Sequence, residues 1–294
     1  MAGNNSTNIQ STKYNAESGI PKERILGLDL LRIVLAFIIF LFHSRIALKC
    51  DYGILNSFVD NGNIVAMTAF FMLSGYSMVI SNGYKNYNNL DEVISFYKKR
   101  FISIYPLYFV AGYLGVIMYI MMGTQSITDN LLLFPIELLC IQSFFDTLFP
   151  FAHNGGSWFI SCLVVGYFIF PWINLLLNNL RTKKLIFLLL ILVFLLAYSP
   201  FIAEHFNTSN LYTNPFFRSM EFVVGMIIAR INTSEFTNRL FRFIRSPWAF
   251  ILSVLFLFLV YLFSANTIYI WIGYLLPLFL SYYLVQVRSN FLHM

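Results

Sequence analysis

Arg32 and His43 are two ionisable residues inside one of the most apolar stretches of the chain, residues 26–48. A run of this length can cross the ~30 Å hydrocarbon core of a membrane as a helix, and an ionisable side chain within such a helix indicates function by default. Their spacing of eleven residues brings both side chains to one helix face, roughly 16 Å apart along the axis. We interpret the pair as part of a reaction path. The simpler alternatives are that Arg32 snorkels from a position near the helix end and that His43 marks the far membrane interface.

Two charged pairs have the spacing of one helical turn. Asp29 precedes Arg32 by three residues, so we expect an ion pair that orients the guanidinium. An interfacial pair without a further role is the alternative. Arg218 and Glu221 repeat this spacing within the apolar segment 215–230, where a salt bridge that only holds the bundle together is the leading alternative.

A basic cluster, Lys98, Lys99 and Arg100, lies immediately before the apolar segment 102–122. Such clusters usually set the orientation of a membrane protein or contact anionic lipid. Arg and Lys also make charge-assisted hydrogen bonds to phosphate. The cluster would therefore also suit a ligand that carries phosphate groups.

Glycines mark two further places of interest. Gly75 lies in an apolar span and predicts the close approach of a second helix backbone, as small residues do in membrane bundles. The glycines at 155–156 predict a turn between His153 and Trp158. Trp158 suits an interfacial anchor, whereas His153 is equally well explained as a solvated loop residue or as a catalytic one.

Composition places the chain among polytopic membrane proteins. Of its 294 residues, 59% are apolar and 11% are charged, whereas soluble domains carry about 25% charged residues. The fold expected is an all-α bundle of transmembrane helices. The chain has a net charge of +6, and its basic residues are scattered between the apolar runs. We therefore expect membrane lipid, and no nucleic acid, as a partner. The three cysteines have no metal-ligand spacing, and no metal site is predicted.

Eight apolar segments are long enough to cross a membrane, and a ninth is shorter. They lie at about 26–48, 62–81, 102–122, 158–178, 185–203, 215–230, 247–264 and 267–287, with the ninth at 131–145. If the N-terminus is cytoplasmic and the ninth does not cross, fifteen Lys and Arg lie inside and two outside; if it crosses, seven lie inside and ten outside. The first count fits the excess of Lys and Arg expected inside, and we therefore favour a ninth segment that does not cross or is re-entrant. We predict a disordered cytoplasmic N-terminus, residues 1–23, and a transmembrane domain, residues 24–294, of eight or nine helices.

Several segments together resemble the acyltransferase 3 family of integral membrane O-acyltransferases, of the type that O-acetylates surface polysaccharides. LDLLRIVLAFIIFLFH resembles the family's first helix, with its Arg-x10-His motif on Arg32 and His43. FFMLSGY, RFISIYPLY, GGSWFIS followed by FIFPWI, and MEFVVGMIIA resemble later blocks in the same order. The resemblance runs from about residue 22 to the end of the chain.

This resemblance implies an enzyme of the cell membrane that takes an acyl group, usually acetyl, from cytoplasmic acyl-CoA. The implied acceptor is a hydroxyl of an extracytoplasmic or lipid-linked glycan. His43 would act as general base or transient acyl carrier, and an imidazole suits the first role because it titrates near neutrality. Arg32 would bind the donor or stabilise charge on the thioester oxygen. Arg100, with Lys98 and Lys99, would hold the phosphates of coenzyme A.

The chain departs from the family pattern at three places. Ser103 and Leu163 stand where many members have Arg and Glu, and the family's last helix is expected after the end of this sequence. A shortened and inactive form is therefore one expectation.

Two other functional classes stay open. One is a transporter or flippase whose charges line a substrate route, and the other is a non-catalytic membrane partner. The lack of an evident internal repeat argues against the transporter.

Overall fold

The chain forms an all-α bundle in the computed structural model, which describes residues 26–83, 85, 87–123, 127–145, 155–205 and 212–232. Within these ranges there are seven α-helices and two short 3-10 turns. The helices are α1 (Leu26–Leu48), α2 (Asn56–Asn82), α3 (Leu90–Met122), α4 (Ile127–Leu138), α5 (Ser157–Asn178), α6 (Thr182–His205) and α7 (Pro215–Asn232). The all-α prediction is confirmed, whereas residues 1–23, His153 and the two spans predicted after residue 246 lie outside the described residues.

Four stretches of the described chain are long and apolar enough to cross a membrane. They are Leu28–Leu48, Gly53–Asn82, Leu90–Met122 and Ser157–Asn178. The third differs most from the sequence prediction, because α3 begins at Leu90 and not near residue 102. The Asn89 side chain accepts a hydrogen bond from the backbone N–H of Asp91 at 2.9 Å, and two acidic residues lie in the first turn of the helix. Because this extension is polar, hydropathy does not detect it, although its cap and its acidic first turn favour the start of a helix.

The shorter apolar segment predicted at 131–145 forms α4 and the turn that follows it. With 12 residues, α4 is about 18 Å long and cannot cross the hydrocarbon core as one straight helix. Tyr105 and Tyr108 of α3 donate hydrogen bonds to the last carbonyls of α4. Gln142, in the following turn, donates to the backbone carbonyl of Ser157 at 3.1 Å. These bonds attach α4 and its turn to α3 and to the start of α5.

Helix α7 forms the centre of the bundle, packed against α2, α5 and α6, while α1 packs on α2 and α3 packs on α5. Five apolar side chains of α7 have no exposed surface: Phe222, Val224, Met226, Ile227 and Ala229. The packing role predicted for Gly75 of α2 is confirmed, because a Cβ there would overlap the carbonyl of Phe222. The bundle therefore has its closest helix contact between α2 and α7.

Candidate functional site

Arg32 and His43 both project from α1 towards α2. Arg32 Nη2 donates a hydrogen bond to Ser77 Oγ of α2 at 2.7 Å, and His43 lines a pocket with Asn63 and Met67 of the same helix. Because α1 and α2 run in opposite directions, the two residues contact opposite ends of α2. We call the two ends of the bundle the Arg32 end and the His43 end.

At the Arg32 end, the predicted ion pair between Asp29 and Arg32 is confirmed. Arg32 Nη1 lies 2.9 Å from Asp29 Oδ1, and the Arg32 side chain is 42% exposed. The guanidinium is thus held from two sides, by Asp29 through Nη1 and by Ser77 through Nη2. An arginine fixed in this way keeps part of its planar donor group accessible to a ligand.

Arg100 belongs to the same neighbourhood as Arg32. Tyr167 of α5 lies within electrostatic range of both guanidinium groups. The Arg100 Cζ lies 5.7 Å from the centre of the Phe96 ring, and its buried Nε has no hydrogen-bond partner among the described residues. Lys98 and Lys99 are exposed. Of the predicted basic cluster, therefore, only Arg100 packs into the bundle near Arg32.

His43 borders an open pocket of about 190 Å³. Its ring packs edge-on against Phe42, with centroids 5.4 Å apart. The walls come from α1, α2, the start of α5 and the connection before α7. The lining residues are Ile39, His43, Asn63, Met67, Phe70, Gly156, Trp158, Phe159 and Tyr212. We call this cavity the His43 pocket; it is mostly apolar, with three polar side chains.

Trp158, predicted as an interfacial anchor, lies in the wall of the His43 pocket and is 6% exposed. Its ring centroid is 4.8 Å from that of Tyr212. Ser143 Oγ donates a hydrogen bond to the Trp158 carbonyl at 2.9 Å, so the turn after α4 holds the first turn of α5 in place. The structure therefore makes Trp158 a packing residue of the pocket wall.

The predicted pair Arg218 and Glu221 is confirmed and lies directly behind that wall. Arg218 Nη1 is 2.9 and 2.8 Å from the two Glu221 carboxylate oxygens, and the residues are 1% and 3% exposed. Thr68 of α2 donates to Glu221 at 2.9 Å. Arg218 Nε donates to the Tyr212 carbonyl at 2.7 Å, and its Cζ lies 4.9 Å from the Tyr212 ring centre. The ion pair thus connects α2 and α7 to the pocket wall.

Several polar residues of these two regions escaped the sequence analysis. Ser77 and Tyr167 lie at the Arg32 end, and Asn63, Thr68 and Tyr212 at the His43 end. Asn63 and Thr68 are polar residues within an apolar span, so the cost of burial that singled out Arg32 could have identified them too. Ser77 lies in the same span and carries the same signal, whereas Tyr167 and Tyr212 do not, because their importance comes from which helix they face.

Arg32 and Arg100 are the residues that could hold an anionic cofactor, since both guanidiniums lie at one end of the bundle. In the described ranges no three His, Cys, Asp or Glu side chains are grouped so as to hold a metal ion.

Comparison with known proteins agrees with the motif pattern. The family model of acyltransferase 3, described as an acyltransferase domain, matches residues 25–293. Acyltransferase MdmB of Streptomyces mycarofaciens is 28% identical over 186 residues, which are 57% of this chain and 46% of that protein. The chain thus spans about half the length of this curated relative. No solved structure gives a significant match. Since the family model covers all the described helices, the chain belongs to the acyltransferase 3 family.

Proposed function

We propose that this chain is a membrane O-acyltransferase that moves an acyl group from acyl-CoA to a hydroxyl group of a glycan. The observation that carries the proposal is the placement of Arg32 and His43 on one side of α1. Arg32 shares its end of the bundle with Arg100, and His43 borders a pocket at the other end. The Arg32 end suits the anionic acyl-CoA donor, and the His43 pocket suits the acceptor hydroxyl. One face of α1 joins the two.

Arg32 and Arg100 are proposed to bind the phosphates of the donor, with acetyl-CoA as the simplest candidate. Guanidinium groups form bidentate, charge-assisted hydrogen bonds to phosphate. The exposed Lys98 and Lys99 would add long-range attraction that salt screens. The flexible pantetheine arm would then extend along α1 towards the His43 pocket, over the roughly 16 Å that eleven helical residues span.

His43 is proposed as the general base at the other end of this path. It removes the proton of the acceptor hydroxyl while the hydroxyl oxygen attacks the thioester carbonyl carbon. The tetrahedral intermediate then breaks its C–S bond, and the leaving thiolate receives the proton from the imidazolium. The products are the O-acyl ester and the free thiol of coenzyme A. The wall of the pocket is mostly apolar, so a bound acceptor would displace water that could otherwise compete with it.

The Arg32 end is proposed to face the cytoplasm of a cell membrane, with the N-terminus inside. Several basic residues of the described chain lie at this end: Lys85, Lys98, Lys99, Arg100, Arg181, Lys183, Lys184 and Arg230. At the other end the only Lys and Arg among the described residues are Arg45, Lys49 and the buried Arg218. An excess of Lys and Arg marks the cytoplasmic side. The donor would therefore bind from the cytoplasm, and an extracytoplasmic or lipid-linked glycan would enter the His43 pocket.

The test is acyl transfer by membranes that contain the full chain, supplied with radiolabelled acetyl-CoA. We expect label in glycan for the wild type and for His205→Ala, a control at an exposed residue of α6. His43→Ala and Arg32→Ala are expected to abolish the transfer at unchanged protein level. If both variants label glycan as the wild type does, the proposed roles are wrong. Label that crosses the membrane without becoming covalently attached would indicate a transporter instead.

A further inference from the structure

Charge that develops on the thioester oxygen at the His43 pocket needs a hydrogen-bond donor within that pocket. Arg32 cannot fill this role, because its guanidinium is fixed by Asp29 and Ser77 about 16 Å along α1 from His43. Stabilisation of such an oxyanion requires a donor at about 2.7–3.1 Å from it. The donor must therefore come from the residues that line the His43 pocket.

Tyr212 meets this requirement in its geometry. Its hydroxyl oxygen accepts a hydrogen bond from Asn63 Nδ2 at 2.9 Å, and both residues line the pocket with His43. A hydroxyl has one proton to donate, and that of Tyr212 has no acceptor among the described residues. Because the oxygen already accepts a bond from an amide, the remaining O–H is polarised for donation.

The protonation state of Tyr212 agrees with a donor. Burial raises the pKa of Tyr212 above its usual value, against the opposing effects of Arg218 and Asn63. The hydroxyl therefore keeps its proton at neutral pH. The ring is held by Trp158 on one side and the Arg218 guanidinium on another, so that the position of the hydroxyl oxygen is restricted before a substrate binds.

We propose that the Tyr212 hydroxyl is the oxyanion donor of the acyl transfer at His43, with Asn63 as the residue that positions and polarises it. The inference rests on the proposed function and assigns it a further catalytic residue. As the acceptor oxygen attacks, the carbonyl π electrons move onto the thioester oxygen, which accepts the hydrogen bond from Tyr212. The proton of Tyr212 stays on its own oxygen, and the bond weakens when the carbonyl re-forms and the thiolate leaves.

Arg218 is assigned a positioning role in the same arrangement. Its Nε holds the Tyr212 carbonyl at 2.7 Å, and its Nη1 is fixed by Glu221 and Thr68. The buried ion pair thus sets the backbone position from which the Tyr212 ring reaches the pocket. This gives the pair a use beyond holding the bundle together.

The experiment measures the release of coenzyme A thiol from acetyl-CoA by membranes that contain the full chain. Tyr212→Phe removes the hydroxyl and keeps the ring. We expect kcat to fall by a factor of about 100 to 1000, the usual effect of losing one oxyanion donor, with KM for acetyl-CoA unchanged. Tyr113→Phe, on an exposed part of α3, is the matched control and should leave both constants unchanged. Asn63→Ala is expected to lower kcat less, also without a change in KM.

The outcomes separate this inference from the proposed function. If His43→Ala is inactive while Tyr212→Phe has wild-type kcat, the oxyanion assignment is overturned and the proposed function stands. A rise in KM alone for Tyr212→Phe also overturns it, because the hydroxyl then binds the ground state. Activity in His43→Ala would refute the proposed function itself. Should Tyr212→Phe fail to fold, Asn63→Ala decides, and an unchanged kcat there counts against the assignment.

Discussion

Gly75 of α2 and Gly225 of α7 lie at the closest approach of their helices, and each faces the backbone of the other helix. A Cβ on Gly75 would overlap the carbonyl of Phe222, and a Cβ on Gly225 would overlap that of Met72. A backbone carbonyl cannot rotate away as a side chain can, so either added methyl would force the helices apart. Two turns nearer the His43 end, the same helix pair brings Thr68 to Arg218 at 3.1 Å.

Gly75→Ala and Gly225→Ala are therefore expected to destabilise the bundle, each by about 1–3 kcal/mol, the usual cost of overpacking. The double variant should cost less than the sum, because the separation that admits one methyl group also makes room for the other. Thermal unfolding of the detergent-solubilised protein measures this. Gly112→Ala is the control, since among the described residues no atom outside the adjoining part of α3 lies within 4 Å of its Cβ position. Strictly additive effects would contradict a shared crossing.

Arg218 and Arg45 make ion pairs of equal length but of different burial, which allows a matched comparison. Each lies 2.8 Å from its carboxylate partner, but Arg218 and Glu221 are almost fully buried whereas Arg45 and Asp60 are 31% and 42% exposed. We expect Arg218→Met to cost about 3–5 kcal/mol, because Glu221 is left charged and buried. Arg45→Met should cost about 0–1 kcal/mol.

The double variant Arg218→Met with Glu221→Leu should be more stable than Arg218→Met alone, because it removes the uncompensated charge. The same unfolding measurement tests both statements. A double variant less stable than the single one would mean that Glu221 is stabilised by Thr68 without Arg218. Both variants should also lower kcat, since Arg218 holds the Tyr212 carbonyl.

Sequence reasoning predicted those parts of the site that lie on a single helix. The apolar run 26–48 coincides with α1, because a continuous apolar stretch of this length has one stable form in a membrane. The pairs of Asp29 with Arg32 and of Arg218 with Glu221 follow from the helical repeat alone. In each case the partners are three residues apart, so no knowledge of the tertiary fold is needed.

Contacts between helices could not be predicted in this way. Ser77 is 45 residues from Arg32, and Tyr212 is 149 residues from Asn63. Their pairing depends on which helices are neighbours and on their relative rotation, and an all-apolar helix contains little information about either. The polar start of α3 was missed for a different reason, since helix caps are local and hydropathy averages them out.

Arg100 and its neighbours Lys98 and Lys99 should differ in their effect on the donor. Arg100 lies beside Phe96 and near Tyr167, whereas both lysines are exposed. We expect Arg100→Ala to raise KM for acetyl-CoA by a factor of about 10 or more, as for a lost charge-assisted hydrogen bond. Each lysine variant should raise it by no more than about fivefold, an effect below about 1 kcal/mol.

Ionic strength distinguishes the two kinds of contact. The effect of the lysine variants should vanish as salt screens the exposed charges, and that of Arg100→Ala should persist. Initial rates of thiol release at low and high salt measure this. Equal effects at all three positions would contradict a special role for Arg100 and favour a diffuse positive surface.

At position 32, we expect donor binding to depend on the shape of the arginine side chain as well as on its charge. Arg32 donates to Asp29 from one terminal nitrogen and to Ser77 from the other, and a lysine ammonium does not reproduce this planar fork. Arg32→Lys should therefore raise KM for acetyl-CoA by a factor of about 10, whereas Ser77→Ala should cause a smaller rise because one of the two contacts remains. Ser74→Ala is the matched control on α2, since that hydroxyl donates to the Phe70 carbonyl of its own helix. A wild-type KM in Arg32→Lys would mean that charge alone is needed, and the two fixed contacts would then serve only the packing of α1 on α2.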